Sequence, residues 1–106
     1  MGVRERVRRF RGGLSLVKFA RFSRPFHPGE ILLEEFLEPK RLSQRRFAER
    51  LGWPPRKLNE IVKGKRGITA LTAIDLSEAL GTTPEFWLNL QQMWDLDRAY
   101  KIRSAS

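Results

Sequence analysis

The chain has 106 residues, which is room for one domain with a modest core. Its 21 lysine and arginine residues against 12 acidic residues give a net charge of +9, which favours nucleic acid over a membrane surface as partner. The absence of cysteine excludes disulfides, a thiol nucleophile and thiolate metal sites, and no apolar run approaches the roughly 18 residues of a membrane span. These features suit the reducing cytoplasm, which is the location that we expect.

Residues 1–25 are predicted to form a basic N-terminal arm, with eight basic residues against the single acid Glu5. Helical spacing at the start of the arm is interrupted by Gly12-Gly13. The larger apolar residues that follow are Leu14, Leu16, Val17, Phe19 and Phe22. This composition leaves two interpretations open, a disordered basic tail and a docking segment that becomes ordered on a partner.

A first helix is predicted from Pro28, which suits a first helical turn, to about Leu37, because Pro39 disfavours helix before it. His27 then starts the helix, and a catalytic or metal-binding role is disfavoured because no second ligand or nucleophile accompanies it. Leu32 should be partly buried, beside a buried stripe of Ile31, Leu33, Phe36 and Leu37. The outer face should be acidic, formed by Glu30, Glu34, Glu35 and Glu38.

The stretch 43–67 has the pattern of a helix-turn-helix. Ser43 is a good N-cap for a second helix over about 44–51, and Gly52 can take the left-handed conformation that ends it. Pro54-Pro55 fits the start of a third helix that runs to about Val62. The small and apolar positions that the motif constrains are Ala48, Leu51, Gly52, Trp53, Leu58 and Ile61. An ordinary helical hairpin has the same periodicity and remains the alternative.

Charge distinguishes these two interpretations, because residues 40–66 carry a net charge of +8. Arg56, Asn59 and Glu60 share one face of the third helix and are predicted to read bases, arginine suiting guanine and asparagine suiting adenine. Contacts with backbone phosphates are predicted for Gln44, Arg45, Lys57, Lys63, Lys65 and Arg66.

Thr69 is predicted to cap a fourth helix over 70–80, with an inner side formed by Leu71, Ile74, Ser77 and Leu80. Thr83-Pro84 opens a fifth helix, which completes a domain over 26–102, and the tail 103–106 is expected to fray. The fifth helix carries more aromatic surface than a domain of this size readily covers. Core packing accounts for part of it, and we predict a dimer interface from Trp87, Met93 and Trp94.

Three stretches in this order, HPGEILLEEFLEP, LSQRRFAERLGWPPRKLNEIVKGKRGIT and LGTTPEFWLNLQ followed by WDL, closely resemble the HigA family of XRE-type helix-turn-helix antitoxins. The resemblance implies an all-α fold, a five-helix XRE/lambda-repressor-like helix-turn-helix domain, here with a basic N-terminal extension. It also implies a homodimer on an operator in its own operon and a HigB-like toxin that cuts messenger RNA. Because such toxins are basic, the acidic helix-one face would meet the toxin, and the basic arm is expected to bind DNA. This chain departs from the family in two respects. Family members usually begin close to the HPGEIL motif, and their second helix is commonly less rich in arginine than Gln44-Arg45-Arg46 is here.

Two other functions remain open at this point. One is a stand-alone XRE-family repressor without a toxin, and the other is an RNA- or protein-interaction module that works through the arm. An enzyme is disfavoured, because no nucleophile pair, clustered metal ligands or phosphate-binding glycine loop is readable. We therefore predict no catalytic residue, no metal, no cofactor, no small-molecule substrate and no membrane partner.

Overall fold

The computed structural model describes residues 25–105, and this part of the chain is all-helical. Its helices are α1 (Pro28–Ile31, continued by a π-helix over Leu32–Leu37), α2 (Gln44–Leu51), α3 (Pro55–Val62), α4 (Ala70–Leu80) and α5 (Pro84–Ala105). The predicted all-α, five-helix architecture is confirmed. Apart from Pro25, the basic arm lies outside the described residues, as does Ser106 of the predicted tail.

The start of α1 is fixed by a reciprocal cap. The His27 Nδ1 atom accepts a hydrogen bond from the Gly29 amide at 2.9 Å, and Glu30 Oε1 accepts one from the His27 amide at 3.2 Å. These two bonds satisfy donors that a helix start leaves unpaired. His27 is therefore a helix-capping residue, as the sequence predicted.

The second half of this element is a π-helix, which the sequence did not predict. The Glu38 amide bonds to the Leu33 carbonyl five residues earlier, at 2.9 Å, and this wider turn changes which side chains face inward. Leu32 is fully buried, whereas Leu33 and Phe36 are only half-buried, so the predicted burial of these residues is wrong.

The predicted acidic face of helix one is also wrong in part. Glu35 is buried, with 9 % of its surface exposed, because the π-helix turns it toward the protein. Glu30 is committed to the helix cap, and Glu38 alone of the four glutamates is exposed. The carboxylates therefore do not form one solvated stripe.

Helix α1 lies directly against the end of α3. A Cβ atom built on Gly29 would approach the Ile61 carbonyl oxygen too closely to be tolerated, so only glycine allows the two backbones to come this near. The beginning of the domain thus supports the C-terminal end of the third helix.

Helices α2 and α3 have the predicted bounds and the predicted inner faces. The Ser43 hydroxyl accepts a hydrogen bond from the Arg46 amide at 3.1 Å, and Gly52 ends α2 with a φ of +71°. Their inward-facing residues are almost fully buried and form the centre of the core: Phe47, Ala48, Leu58 and Ile61. The order and packing of the two helices are those of a helix-turn-helix.

Helix α4 has the predicted bounds and Thr69 cap but faces the core differently. Leu71 is 75 % exposed and Ile74 is 41 % exposed, so their assignment to the inner side is wrong. The buried residues of this helix are Thr72, Ala73, Leu76 and Ser77. Apolar residues occur all around α4, and their spacing therefore permits more than one inward face.

Helix α5 starts as predicted, with the Thr83 hydroxyl accepting a hydrogen bond from the Phe86 amide at 3.2 Å. It continues to Ala105, beyond the predicted limit of 102, because no glycine or proline follows Pro84 to stop it. Residues 103–105 of the tail are helical, and its fraying stays a prediction.

Trp87 of α5 is a core residue and not part of a dimer interface, which corrects the sequence prediction. Its side chain is fully buried, its indole nitrogen donates to the Thr82 hydroxyl at 2.7 Å, and its ring packs against those of Phe36 and Phe86. A tryptophan enclosed in this way has no surface to offer to a second chain.

Among the helices of residues 25–105, none has both the length and the apolar character needed to cross a membrane. Within the same residues, no group of histidine, cysteine and carboxylate side chains is arranged to hold a metal ion.

Candidate nucleic-acid interface

The solvent-facing side of α3 carries the predicted base-reading residues together. The Arg56 side chain is 87 % exposed and that of Glu60 is 24 % exposed, Asn59 is partly exposed, and Lys63 follows at the end of the helix. Leu58 and Ile61 hold the opposite side of α3 in the core. The helix therefore presents a polar face on a rigid support. We call this face, formed by Arg56, Asn59, Glu60 and Lys63, the reading face after its predicted role.

Glu60 joins two arginines at the centre of this face. Arg56 Nε donates to Glu60 Oε2 at 3.0 Å, while Arg66 donates to Oε1 through Nε at 3.0 Å and through Nη2 at 2.7 Å. The hydrogen bonds from Arg66, followed by those from Arg56, hold the pKa of the Glu60 carboxyl below its ordinary value. The carboxylate is therefore charged and occupied on both oxygens.

Arg56 keeps its outer end available in this arrangement. Only its Nε bonds to Glu60, and its two terminal nitrogens make no hydrogen bond with residues 25–105. A pair of parallel N–H donors is the group that matches the O6 and N7 atoms of guanine.

Asn59 is held from the start of α2. Its Nδ2 atom donates to Gln44 Oε1 at 3.3 Å, which joins the first residue of α2 to the reading face of α3. The second Nδ2 hydrogen and the Oδ1 atom of Asn59 remain available, and this donor–acceptor pair matches the edge of adenine. Gln44 thus supports the reading face, in addition to the phosphate contact predicted for it.

The turn between the two helices is fixed by Trp53. The Lys57 ammonium lies 4.2 Å from the centre of the Trp53 ring, and the indole nitrogen donates to Asp75 Oδ2 at 3.0 Å. The ring attracts the cation and the carboxylate anchors the ring to α4. Lys57 therefore has a defined position beside the reading face.

The basic turn after α3, residues 63–67, is attached at both ends. The Glu60 carbonyl accepts from the amides of Lys65 and Arg66 at 2.8 and 3.2 Å, and Gln91 Oε1 of α5 accepts from the Ile68 amide at 2.7 Å. Lys63, Lys65 and Arg66 all remain exposed on this turn. Their ammonium and guanidinium groups extend the positive surface next to α3.

The remaining predicted phosphate-binding residue, Arg45, lies on the exposed side of α2. Its guanidinium is 3.9 Å from the Glu49 carboxylate, and both side chains are mostly exposed. Such a pair is loose enough for the arginine to exchange its partner for a phosphate. The predicted residues of α2, α3 and the basic turn therefore lie on adjoining parts of the surface, with Glu60 as the link between helix and turn.

Comparison with known proteins identifies the family to which this fold belongs. The helix-turn-helix family matches residues 33–87. The chain is 41 % identical over 81 residues to antitoxin HigA-1 of Vibrio cholerae, covering 74 % of this chain and 76 % of that protein. It is 48 % identical over 73 residues to virulence-associated protein I of Dichelobacter nodosus, covering 69 % and 68 % of the two chains.

A solved structure, the Pseudomonas aeruginosa antitoxin HigA with the higBA promoter, is similar in both sequence and fold. It is 40 % identical, with a TM-score of 0.74, over 77 % of this chain and 89 % of that chain. The chain belongs to the HigA family of XRE-type helix-turn-helix proteins. The resemblance seen in the three sequence stretches is therefore confirmed.

Several residues that organise the interface of this HigA-family chain were missed from sequence. Asp75 and Gln91 are far from α3 in the chain, at separations of 22 residues from Trp53 and 23 residues from Ile68. In the sequence, Asp75 and Gln91 stand out only as polar residues in helix segments rich in apolar residues. That pattern does not indicate which residue each of them bonds to. The role of Glu60 as a link was missed because Arg66 lies beyond the helix that carries Glu60.

The C-terminal part of α5, from Met93 to Ala105 and called the far half below, forms a second surface, where the HigA-family domain exposes apolar side chains. Met93, Leu96 and Tyr100 line a groove of about 150 Å³ with Pro25 and Asp97. Leu96 is 43 % exposed and Tyr100 is 58 % exposed. Trp94 is half-buried, because its ring packs edge-on against His27 with the ring centres 5.1 Å apart.

Proposed function

We propose that this protein is a DNA-binding antitoxin, which represses its own operon as a homodimer and neutralises a HigB-like mRNA endoribonuclease. The observation that carries the DNA-binding part is the reading face of α3, where Arg56 and Asn59 keep the donors and acceptors that suit guanine and adenine. The similarity to an antitoxin structure with promoter DNA supports the same function.

In the proposed complex, α3 lies in the major groove and the basic residues beside it contact phosphates. The N-terminal end of α2 and the turn 63–67 flank α3, so Arg45, Lys65 and Arg66 can reach the backbone on both sides of the groove. Lys57, held against Trp53, is a further phosphate contact. Base specificity then comes from few residues and most of the affinity from charge.

The homodimer is proposed to form through the far half of α5. Met93, Leu96 and Tyr100 are spaced on one side of this helix and leave apolar surface exposed. Two copies would bring two α3 helices to half-sites about 34–36 Å apart, on an operator that is an inverted repeat. Met93 and Trp94 stay in the proposed interface, whereas Trp87 does not.

The toxin is proposed to contact the acidic side of the first helix. After the correction for Glu35, the available carboxylates are those of Glu34 and Glu38, since Glu30 also serves as the helix cap. This side carries no lysine or arginine between 26 and 39, so a basic toxin would meet no like charge there.

The experiment is a gel-shift of the full chain against the DNA upstream of its own gene, with a scrambled duplex as control. We expect selective binding to the upstream duplex, and a change in mobility or affinity when a candidate toxin is added. Equal affinity for both duplexes would contradict the repressor role.

A stand-alone repressor is the second candidate, and it differs in one respect. It predicts selective DNA binding with no small basic ribonuclease encoded beside the gene or co-purifying with the protein. Inhibition of such a ribonuclease by the full chain, measured as protection of messenger RNA in a translation reaction, would establish the antitoxin role instead.

A further inference from the structure

The Glu60 side chain lies where a base-reading residue was predicted, but its contacts indicate a different role. One carboxylate oxygen accepts from Arg56 of α3 and the other accepts twice from Arg66 of the basic turn. Three of the roughly four acceptor positions of this carboxylate are therefore taken by guanidinium groups, and Oε2 alone keeps one for a further donor. Its main-chain carbonyl also binds the turn, through the amides of Lys65 and Arg66.

We propose that Glu60 is a positioning residue that determines DNA specificity, by holding Arg56 in reading geometry and by restraining Arg66 from binding phosphates indiscriminately. This proposal rests on the DNA-binding function proposed above. It replaces the sequence prediction that Glu60 itself reads a base.

The first part of the effect is orientation. Arg56 has a long side chain that is 87 % exposed and would otherwise sample many conformations. The bond from its Nε to Glu60 fixes the plane of the guanidinium while leaving both terminal nitrogens for guanine. Less conformational freedom is then lost when the arginine binds its base.

The second part is competition for charge. On a duplex without the right base, the nearest favourable partner for either arginine is a phosphate, and the Glu60 carboxylate both competes for the guanidinium and repels that phosphate. On the operator, Arg56 can bind guanine without leaving Glu60, so the carboxylate reduces the binding free energy less there. The negative charge therefore weakens binding to random DNA more than binding to the operator.

Glu60→Gln tests the proposal, because it keeps the shape and the main-chain bonds of residue 60, removes the charge and replaces one of the two acceptor oxygens with an N–H donor. Glu49→Gln is the matched control, since Glu49 also pairs with an arginine four residues earlier, on the exposed side of α2. Both variants raise the net charge equally. Dissociation constants are measured by fluorescence anisotropy for the upstream duplex and for a scrambled duplex of equal length, over a series of salt concentrations.

For Glu60→Gln we expect tighter binding to scrambled DNA. The salt slope on that duplex should be steeper by about one, because Arg66, which Glu60 restrains on random DNA in the wild type, gains a phosphate there. The ratio of upstream to scrambled affinity should fall by about tenfold, the order of one good base contact. Glu49→Gln should leave the ratio unchanged. In an Arg56→Ala background, Glu60→Gln should lower the ratio less than it does in the wild type, because only the release of Arg66 then remains.

Three outcomes would overturn the proposal. Unchanged affinities for both duplexes in Glu60→Gln would show that its charge does not set specificity, and an equal loss on both would show a purely structural role. A loss confined to duplexes with cytosine at one position would make Glu60 a direct base reader. Thermal melting of each variant checks that the fold is kept, and Glu60→Asp, which keeps the charge, should retain more of the ratio than Glu60→Gln.

The affinities of the wild-type protein for the two duplexes distinguish a failure of this proposal from a failure of the proposed DNA-binding function. Failure of the wild-type protein to prefer its upstream duplex would contradict both. A clear wild-type preference that survives in Glu60→Gln would contradict only the role of Glu60.

Discussion

The reading face of α3 and the far half of α5 are both exposed, but they expose opposite chemistry. On α3 and the basic turn, the exposed side chains are charged, and several are held by a partner, as Arg56 and Arg66 are by Glu60. On α5, Leu96 and Tyr100 are exposed beside a groove. The first surface suits a polyanion and the second suits another protein.

The difference also concerns how each surface is supported. On the reading face, Asn59 is bonded to α2 and Glu60 to the basic turn, and the chain just after that turn is bonded to α5. The far half of α5 extends past the core, and its last buried residue is Leu90. Such an extension leaves a helix face uncovered within residues 25–105. This is the face that we propose as the dimer interface.

The largest effect is expected from Leu96→Arg, which tests the apolar surface. A charge placed in a dimer interface without a partner should weaken dimerisation by about 3 kcal/mol, or about a hundredfold in the dissociation constant. Operator affinity should fall as well, because two half-sites are then bound separately. Analytical ultracentrifugation and anisotropy on the upstream duplex measure the two quantities.

Leu71→Arg is the control for Leu96→Arg, since Leu71 is an even more exposed leucine but lies on α4. It should leave the dimer intact. Equal weakening of the dimer by both variants would contradict an interface confined to α5. A wild-type protein that is monomeric at micromolar concentration would contradict the assignment of the far half of α5 to a dimer interface.

A smaller effect is expected from Arg56→Ala, which tests the reading face. The loss should be about 1–3 kcal/mol on the upstream duplex and little on scrambled DNA, because arginine contributes a base contact. Arg45→Ala is the control, since Arg45 is an equally exposed arginine with a glutamate four residues on. It should weaken binding to both duplexes alike, and the same behaviour in Arg56→Ala would remove Arg56 from base reading.

The same two regions explain how far the sequence predicted the structure. The caps and bounds of α2 and α3 followed from local chemistry, because Ser43 bonds within its own helix and Gly52 takes its left-handed turn wherever the helix ends. A single apolar side on each helix then determined which residues are buried. The same periodicity correctly placed Arg56, Asn59 and Glu60 together on the solvent-facing side of α3. Their contacts with bases stay a prediction.

Helix α4 and the first helix could not be predicted to the same depth. Apolar residues surround α4, so the choice of Ala73 and Leu76 over Leu71 depends on its neighbours, α2 and α5. The π-helical turn that buries Leu32 and Glu35 is a shift of hydrogen-bond register, and no residue type signals it. The bonds from Asp75 and Gln91 join distant segments and become visible only in three dimensions.

Lys65→Ala should have a more modest effect and sharpens the description of the charged surface. Lys65 is exposed on the basic turn, and its ammonium makes no ion pair with residues 25–105. Its removal should weaken binding to all duplexes similarly and reduce the slope of log affinity against log salt by about one. An unchanged slope would place Lys65 away from the phosphates.

The smallest effect concerns His27, which lies between the two regions. Its ring packs against Trp94 of α5, and a Cβ added at Gly64 of the basic turn would lie 3.7 Å from it. Burial lowers the pKa of His27 from its ordinary value of 6.5, although the carboxylates of Glu30 and Asp95 oppose the shift. The neutral ring is also the form that can accept the Gly29 hydrogen bond.

Because the folded-state pKa of His27 lies below the unfolded value, the unfolded chain binds the proton more readily. The free energy of unfolding should therefore be highest above about pH 6.5 and decline as the pH falls through the folded-state pKa. His27→Asn keeps a good helix cap but cannot titrate, so its stability should depend less on pH between about pH 7.5 and about pH 5. Urea titrations of both proteins at these two pH values measure the difference, and an equal decline in His27→Asn would assign the pH dependence to the carboxylates instead.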